Sequence, residues 1–154
     1  MKKIFLIFSL FFLINILSFA LTPEWLQGQW ITEKASNGNQ IIVEFYEKNN
    51  LYFGKILKLT IPKYTDGPYI GQDKMDLENP NSNLKNRKLQ GMDFVSNFTL
   101  NDNKLIDGNI YNPENGKIYH CKITKKDNNT LIVKGSIDSM GLIGKTQIWK
   151  KIEN

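Results

Sequence analysis

The chain has 154 residues with 20 basic and 15 acidic side chains, which gives a net charge of +5 at pH 7. The basic residues are scattered and alternate with apolar ones at strand spacing, which excludes the dense basic stripe of a nucleic-acid-binding protein. A single cysteine excludes an intramolecular disulfide framework. Stability must therefore come from a hydrophobic core and a sheet.

The N-terminus has the pattern of a cleavable secretory signal. Two lysines precede an uncharged apolar run, Ile4 to Leu17, which is shorter than the ~20 residues of a spanning helix. Small residues at Ser18 and Ala20 predict cleavage after Ala20. We expect a signal peptide over 1–20 and one domain over 21–154, periplasmic or secreted, with no stable membrane span after cleavage. An uncleaved membrane anchor is the alternative.

One helical turn and eight short β-type runs follow the predicted signal. Thr22 is expected to cap the turn, and Pro23 to occupy its first helical position. Turn-forming Asn, Asp and Gly residues separate the runs, which lie at 28–32, 40–47, 51–61, 93–100, 104–111, 117–125, 130–137 and 145–152. The sequence shows no convincing amphipathic helix. This pattern predicts an antiparallel all-β barrel or sandwich.

The strongest local signal is a β-hairpin between Asp107 and Ile123. Two runs rich in Ile and Tyr flank the segment 112–116, in which Pro presets φ for a turn and Asn-Gly tolerates positive φ. Because side chains alternate along a strand, Tyr119 and Cys121 are expected to share the inward face with Ile123.

The alternation of side chains along a strand also predicts which residues of the other strands face inward. Apolar residues in the same register are expected to point inward; these sets are Ile41, Val43 and Phe45; Phe94 and Phe98; Leu131, Val133 and Ile137; and Phe53, Leu57 and Leu59. Lys55 interrupts the last set. This lysine lies either at a mouth of the barrel or beside a bulge that changes the parity.

One connection, Pro62–Gln90, is much longer than the others and is called the long loop below. Loops of this length in compact domains are usually functional or mobile, although a plain surface segment is an equal alternative. Arg87, with Asp76 and Asn79, is the candidate polar anchor for a ligand, because a guanidinium binds carboxylate or phosphate headgroups through two parallel hydrogen bonds. The alternative is an internal salt bridge from Arg87 to Asp76 or Glu78 that orders the loop.

The hairpin supplies three more candidate ligand contacts. Tyr111 and Tyr119 lie across the turn from one another and could form an aromatic wall, although packing explains them equally well. Cys121 is interpreted as a buried core residue, with a redox-sensing thiol as the alternative. The single histidine, His120, is expected to be exposed. The sequence contains no spacing typical of a catalytic triad or a metal site, and no cofactor is expected.

The chain also resembles a catalogued family through four blocks of residues. These blocks are Gly28-x-Trp30-x-Thr32; Asp76-x-x-Asn79-Pro80 followed by Leu84, Arg87, Leu89 and Gly91; Gly108-x-Ile110-Tyr111-x-Pro113 followed by Gly116-Lys117-x-Tyr119-x-Cys121-Lys122; and Gly144-Lys145-Thr146-Gln147-x-Trp149. They are similar to domain-of-unknown-function family 2147, a family of small exported bacterial proteins. The resemblance implies a lipocalin-like (calycin) barrel in the cell envelope and no established activity.

In such a barrel, a basic residue of the last strand covers the indole that opens the first strand, here Trp30. Lys145, Lys150 and Lys151 are the candidates for this contact. The combined interpretation is an eight-stranded antiparallel up-and-down barrel of the lipocalin type, whose interior is either filled or able to hold one small ligand.

Three functions remain open at this point. The first is a non-enzymatic binding module for a small amphipathic or hydrophobic ligand, with the inward apolar residues as its wall and Arg87 as the headgroup contact. The second is a packed barrel that acts as an interaction protein in the envelope. The third and weakest is a thiol-dependent or hydrolytic enzyme.

Overall fold

Eight antiparallel strands follow one another along the chain and close into an up-and-down barrel. The computed structural model describes residues 22–153, so the predicted signal peptide lies outside the described residues. The strands are β1 (Gln29–Ile31), β2 (Ile41–Lys48), β3 (Leu51–Leu59), β4 (Asp93–Asn101), β5 (Lys104–Asn112), β6 (Lys117–Asp127), β7 (Thr130–Ser136) and β8 (Gly144–Lys151). The prediction of eight strands is confirmed, and the barrel alternative is the correct one.

The short turns form because Asn, Asp and Gly accept a left-handed backbone. Asn49 and Asn50 have φ values of 55° and 63° between β2 and β3, and Asp102 has a φ of 51° between β4 and β5. Gly116 has a φ of 69° in the turn of the predicted hairpin, where β5 and β6 pair from Asn112 to Lys104. The hairpin is therefore confirmed.

The connections fall at two ends because successive strands run in opposite directions. At the closed end lie the tight turns β2–β3, β4–β5 and β6–β7, together with a 3₁₀ helix at Glu24–Leu26. At the open end lie four connections: 32–40 between β1 and β2, 60–92 between β3 and β4, 113–116 between β5 and β6, and 137–143 between β7 and β8. Every long connection is at the open end.

The closed half of the barrel is filled with side chains. Its fully buried residues include Leu26, Trp30, Ile56, Phe98, Leu105, Ile123, Leu131 and Trp149. Gly108 makes room for one of them, since a Cβ atom there would overlap the ring of Phe98. A ligand therefore has space only toward the open end.

Trp30 seals the closed end. Its indole Nε1 donates a 3.0 Å hydrogen bond to the carbonyl oxygen of Leu26, and the Nζ of Lys151 lies 5.4 Å from its ring centroid. Of the three predicted lysines, Lys151 makes the contact. The capping prediction is wrong: Pro23 itself is the N-cap, and no side chain caps the 3₁₀ helix.

The predicted faces hold in β6, where Cys121 and Ile123 are buried and His120 is exposed. They fail in most of β3, where Leu59 is buried as predicted but Phe53 and Leu57 are not. A register shift between Ile42 and Val43 changes the parity, so that Tyr52 and Ile56 are buried and Lys55 points outward. The bulge alternative is therefore the right one.

The outward side chain of Lys55 has a partner on the neighbouring strand. On the outside of the barrel, its Nζ lies 3.5 Å from a carboxylate oxygen of Glu44. Ile137 is also misassigned, because β7 ends at Ser136 and the Ile137 side chain is 71% exposed in the connection that follows.

Candidate ligand-binding site

A cavity of about 790 Å³ opens at the mouth of the barrel. Three open-end connections border it: the β1–β2 connection, the long loop and the β5–β6 turn. Its apolar lining residues are Ala35, Ile41, Leu59, Ile61, Met75, Leu77, Leu89, Phe94 and Pro113, and its charged ones are Glu33, Lys34, Asp66, Lys74, Glu78, Glu114 and Lys145. Both signs of charge are present, so this cavity has no strong preference for one sign of ligand.

A second cavity of about 460 Å³ lies on the β5–β8 side of the open end. Inward side chains of four strands line it, among them Ile110, Tyr119 and Val133. Ile137 and Ile143 of the β7–β8 loop border its entrance. Among the described residues that line this smaller cavity, Lys145 is the one charged side chain. The site thus combines an apolar wall with a single positive charge.

The two cavities adjoin, because both are bordered by Phe94, Asn112, Lys145 and Gln147. Phe94 reaches this position through a bulge. Lys55 and Gly54 of β3 pair with Asp93 and Val95 of β4, which leaves Phe94 as the extra residue. Its ring stacks on Trp149 at 5.9 Å between centroids and forms the floor of the site.

The long loop is ordered by backbone pairings between its own residues. Isolated bridges pair Lys63 with Asp73 and Met75 with Lys88. The amide of Asp76 donates to the carbonyl oxygen of Arg87 at 3.0 Å, and its own carboxylate is the centre of a polar cluster. The loop is therefore a folded flap at the open end.

Asp76 is fully buried and accepts hydrogen bonds from three side chains. Arg87 donates from Nε at 3.0 Å and from Nη2 at 2.8 Å, and Asn79 donates from Nδ2 at 2.7 Å. The hydroxyl of Tyr111 on β5 donates to the other carboxylate oxygen at 2.5 Å. Because Tyr111 belongs to the barrel, this cluster fastens the long loop to the barrel wall.

The cluster favours one of the two predicted roles of Arg87. Its guanidinium is engaged with Asp76, so the internal salt bridge is present, and this geometry supports the loop-ordering role over the headgroup role. Burial, followed by the hydrogen bond and charge of Asp76, raises the pKa of Tyr111 to about 12, so this hydroxyl stays protonated, and able to donate, well into the alkaline range.

The turn of the hairpin also packs against the long loop. A Cβ atom on Gly116 would overlap the carbonyl oxygen of Glu78, so glycine permits this close approach as well as the positive φ. The side chain of Asn79 accepts from the amide of Asn81 and orders the same stretch of the loop.

Tyr111 and Tyr119 do not form one aromatic wall. In the β5–β6 register, Tyr111 pairs with Ile118 and Tyr119 pairs with Ile110, so the two tyrosines leave the hairpin on opposite faces. Atoms of both residues border the smaller cavity. Their hydroxyls, however, bond to different residues. That of Tyr111 donates to Asp76, whereas that of Tyr119 accepts a 3.0 Å hydrogen bond from Asn115.

Cys121 is buried inside the barrel, and burial raises the pKa of its thiol to about 12. A thiol with this pKa is almost entirely protonated at neutral pH, whereas nucleophilic and redox-sensing cysteines act as thiolates. The geometry therefore favours the core role over the thiol-based alternatives. Across the described residues, no cluster of three or more His, Cys, Asp or Glu side chains could hold a metal ion.

We expect Cys121 in the native protein to react with an aromatic disulfide reagent at pH 8 at least about a thousandfold more slowly than in urea-unfolded protein, because the barrel must open first. The measurement is the rate of thiolate release in both states. Equal rates in the two states would show that the thiol is accessible and would restore the redox hypothesis.

Sequence reasoning missed Lys145 and Gln147 as site residues. Both were named in a block of the family resemblance, but the role predicted for Lys145 was to cover Trp30, and none was predicted for Gln147, although its position two residues before Trp149 places it on the same inward face. The consecutive apolar pair Phe94-Val95, which breaks the alternation, was the available signal for the bulge.

Comparisons with known proteins agree with this architecture. The model of the family described as "Uncharacterized protein conserved in bacteria (DUF2147)" matches residues 28–151. A solved structure, protein HP1028 from the human pathogen Helicobacter pylori, is described as belonging to the lipocalin family. It shares 27% sequence identity with this chain at a TM-score of 0.72, and the match covers 84% of each chain. No curated protein matches the chain.

Proposed function

Since the chain belongs to the DUF2147 family of uncharacterized bacterial proteins and folds as a lipocalin-like barrel, we propose that it is an exported protein that binds a small amphipathic or hydrophobic molecule at the open end of the barrel. The N-terminal pattern supports export, through two lysines, an apolar run and small residues before a cleavage point at Ala20.

The smaller cavity is the observation that carries the proposal. Its volume of about 460 Å³ lies within the ~300–1,000 Å³ that ligand pockets usually have. Ile110, Val133 and Phe94 give it an apolar wall, and Lys145 gives it one positive charge at the border with the larger cavity. An apolar chain with an anionic headgroup matches this arrangement.

The structure changes which residues the proposal assigns to the ligand. Lys145 takes the headgroup role that the sequence had suggested for Arg87, because Arg87 is engaged with Asp76. Asp76 and Asn79 act on the ligand indirectly, by holding the long loop against Tyr111. Tyr119 remains a direct wall residue, while Cys121 belongs to the packed interior below.

The first experiment is native mass spectrometry of the protein taken gently from the envelope of its own bacterium. A mass equal to residues 21–154 plus one small molecule is expected, and extraction would identify that molecule. The mass of the uncleaved chain would contradict export with cleavage. A ligand-free mass that persists after incubation with envelope lipid extract would contradict the binding function.

A matched pair of variants then locates the ligand. Dodecanoate is the probe, because it joins an apolar chain to a carboxylate. Ile110→Trp should fill the smaller cavity and lower the affinity for dodecanoate about tenfold or more, since about two methylene groups lose their burial. The control is Ile118→Trp, the same change at an exposed site on the outer face of β6. Equal affinities of the two variants in titration calorimetry would contradict this location.

A further inference from the structure

The β7–β8 loop, residues 137–143, presents four large apolar side chains to solvent. Ile137, Met140, Leu142 and Ile143 are 71%, 80%, 77% and 65% exposed. Exposed apolar residues are common singly, whereas a contiguous group of them in one loop marks an interaction surface. Within the described part of the chain, nothing covers these side chains.

Hydrogen bonds within the β7–β8 loop keep these apolar side chains exposed. Asp138 accepts hydrogen bonds from the backbone amides of Leu142 at 2.8 Å and Ile143 at 2.7 Å, and its carbonyl oxygen accepts from Gly141 at 3.1 Å. The amide of Ile137 donates to the carbonyl oxygen of Ile143 at 2.9 Å and closes the base of the loop. The apolar side chains are left pointing away from a hydrogen-bonded ring of backbone.

Positive charge surrounds this apolar loop. Lys134 extends along it, with its Nζ 3.9 Å from the point that a Cβ atom added to Gly141 would occupy, and Lys122 pairs with Lys134 on the neighbouring strand. Lys145 follows the loop at the start of β8. The acid inside the loop, Asp138, keeps its negative charge, and its carboxylate accepts from backbone amides. Three lysines outnumber this one acid, so the local field is positive, which complements an anionic surface.

We propose that the β7–β8 loop docks the protein on a lipid bilayer that carries anionic headgroups, with Met140 and Leu142 inserted at the level of the acyl chains and Lys134 at the level of the phosphates. Apolar insertion combined with basic flanks is how peripheral proteins bind such surfaces. The inference does not depend on the identity of the ligand.

The same loop connects the bilayer with the binding site. Ile137 and Ile143 also border the entrance of the smaller cavity. A protein seated on the bilayer through this loop has that entrance facing the lipid, so an amphipathic molecule passes between membrane and barrel without crossing water.

Vesicle flotation with residues 21–154 tests the docking. Residues 22–153 close the barrel among themselves, and leaving out 1–20 removes an apolar run that would bind lipid by itself. The protein should float with vesicles of phosphatidylethanolamine and phosphatidylglycerol and only weakly with phosphatidylcholine vesicles. The double variant Met140→Ser/Leu142→Ser should lower the partition coefficient about tenfold or more.

Matched variants separate docking from other effects. Tyr69→Ser/Ile70→Ser removes exposed apolar side chains from the long loop, which are 38% and 65% exposed, and should leave flotation unchanged. Lys134→Gln should lower binding to the anionic vesicles about fivefold, since a lysine near such a surface contributes about 1 kcal/mol. Binding of dodecanoate to Met140→Ser/Leu142→Ser should stay at the wild-type value, so a failure of docking and a failure of ligand binding are distinguishable.

Three outcomes would overturn the proposal. The first is that the wild-type protein floats with neither kind of vesicle. The second is that the Met140→Ser/Leu142→Ser variant floats as well as the wild type. The third is concentration-dependent dimerisation in sedimentation velocity that this double variant abolishes, without any vesicle binding. That last result would assign the surface to a second copy of the chain.

Discussion

Replacing Trp30 with alanine is expected to lower the free energy of unfolding by about 4 kcal/mol, the largest single-residue effect we predict for the barrel. The indole is fully buried, donates a hydrogen bond to Leu26 and lies under the Nζ of Lys151. Alanine would leave a cavity at the closed end, an unpaired carbonyl oxygen at Leu26 and no aromatic face for the lysine.

The position of Trp30 in the sheet enlarges this effect. β1 has three residues, and its register with β8 joins only Trp30 and Ile31 to Lys151 and Lys150. This short seam closes the barrel, and the buried Trp30 side chain anchors β1 to the core, in addition to the pairing of β1 with β2. A barrel with an open seam exposes the edges of two strands, which are prone to aggregation.

Urea unfolding followed by far-UV circular dichroism measures the effect, and two variants control it. Trp30→Phe keeps most of the buried area and should cost about 1–2 kcal/mol. Trp25→Ala removes the half-buried indole of the neighbouring 3₁₀ helix and should cost about 1 kcal/mol. A cost below 1 kcal/mol for Trp30→Ala would show that the seam is held elsewhere.

Much of the fold could be predicted because its signals are local. Turns such as Asn49-Asn50 and the one ending at Gly116 need positive φ, and the residues that accept it stand at those points in the sequence. Between them, the alternation of apolar and polar residues sets strand length, and the predicted strand ends lie within two residues of the observed ones. No contact with a distant strand is needed for either signal.

The errors arise where a strand is shaped by its partner. The shift between Ile42 and Val43 and the extra residue Phe94 depend on how β3 pairs with its two neighbours, which no single run of sequence encodes. The first bulge removed Phe53 and Leu57 from the buried face assigned to them, although Leu59 kept it. The second left Phe94 buried, as predicted, but placed it at the floor of the site. The sequence showed each bulge only as a break in the pattern, at Lys55 and at Phe94-Val95.

The candidate site was the least predictable part, because long-range contacts create it. The salt bridge from Asp76 to Arg87 was foreseen as an alternative, since the two residues are only 11 positions apart. The bond from Tyr111, at a separation of 35 positions, was not foreseen, and it is the one that attaches the long loop to the barrel. Lys145 enters the site only when β8 closes the barrel.

The variant Asp76→Ala is expected to release the long loop from the barrel at a cost of about 3 kcal/mol. It removes the acceptor that Arg87, Asn79 and Tyr111 share, and of the three donors only Asn79 keeps another bond, the 3.4 Å one to the Tyr111 hydroxyl. We place the cost at the lower end of the usual range for a broken buried ion pair, because the Arg87 side chain is 38% exposed and regains water. Tyr111 of β5 loses its bond to the carboxylate, but the pairing of the strands with one another is untouched, so the change should be local.

Hydrogen exchange distinguishes such a local release from general destabilisation. The amides of Asp76 and Leu89 are bonded across the loop to Arg87 and Lys74, and they should exchange about a hundredfold faster in Asp76→Ala, while the amides of β6 and β7 keep their protection. Asp73→Ala is the control. It breaks the exposed pair with Lys88 in the same loop and should change stability by less than about 0.5 kcal/mol.

The affinity of Asp76→Ala for dodecanoate shows which cavity the long loop serves. Met75, Leu77 and Leu89 of this loop line the larger cavity and are absent from the lining of the smaller one. A ligand that extends into both cavities would lose these contacts in the variant and bind about tenfold more weakly. A ligand confined to the smaller cavity would keep its affinity. Unchanged exchange at the amides of residues 76 and 89 would instead contradict the role of the polar cluster around Asp76, because the loop would then be held without the carboxylate.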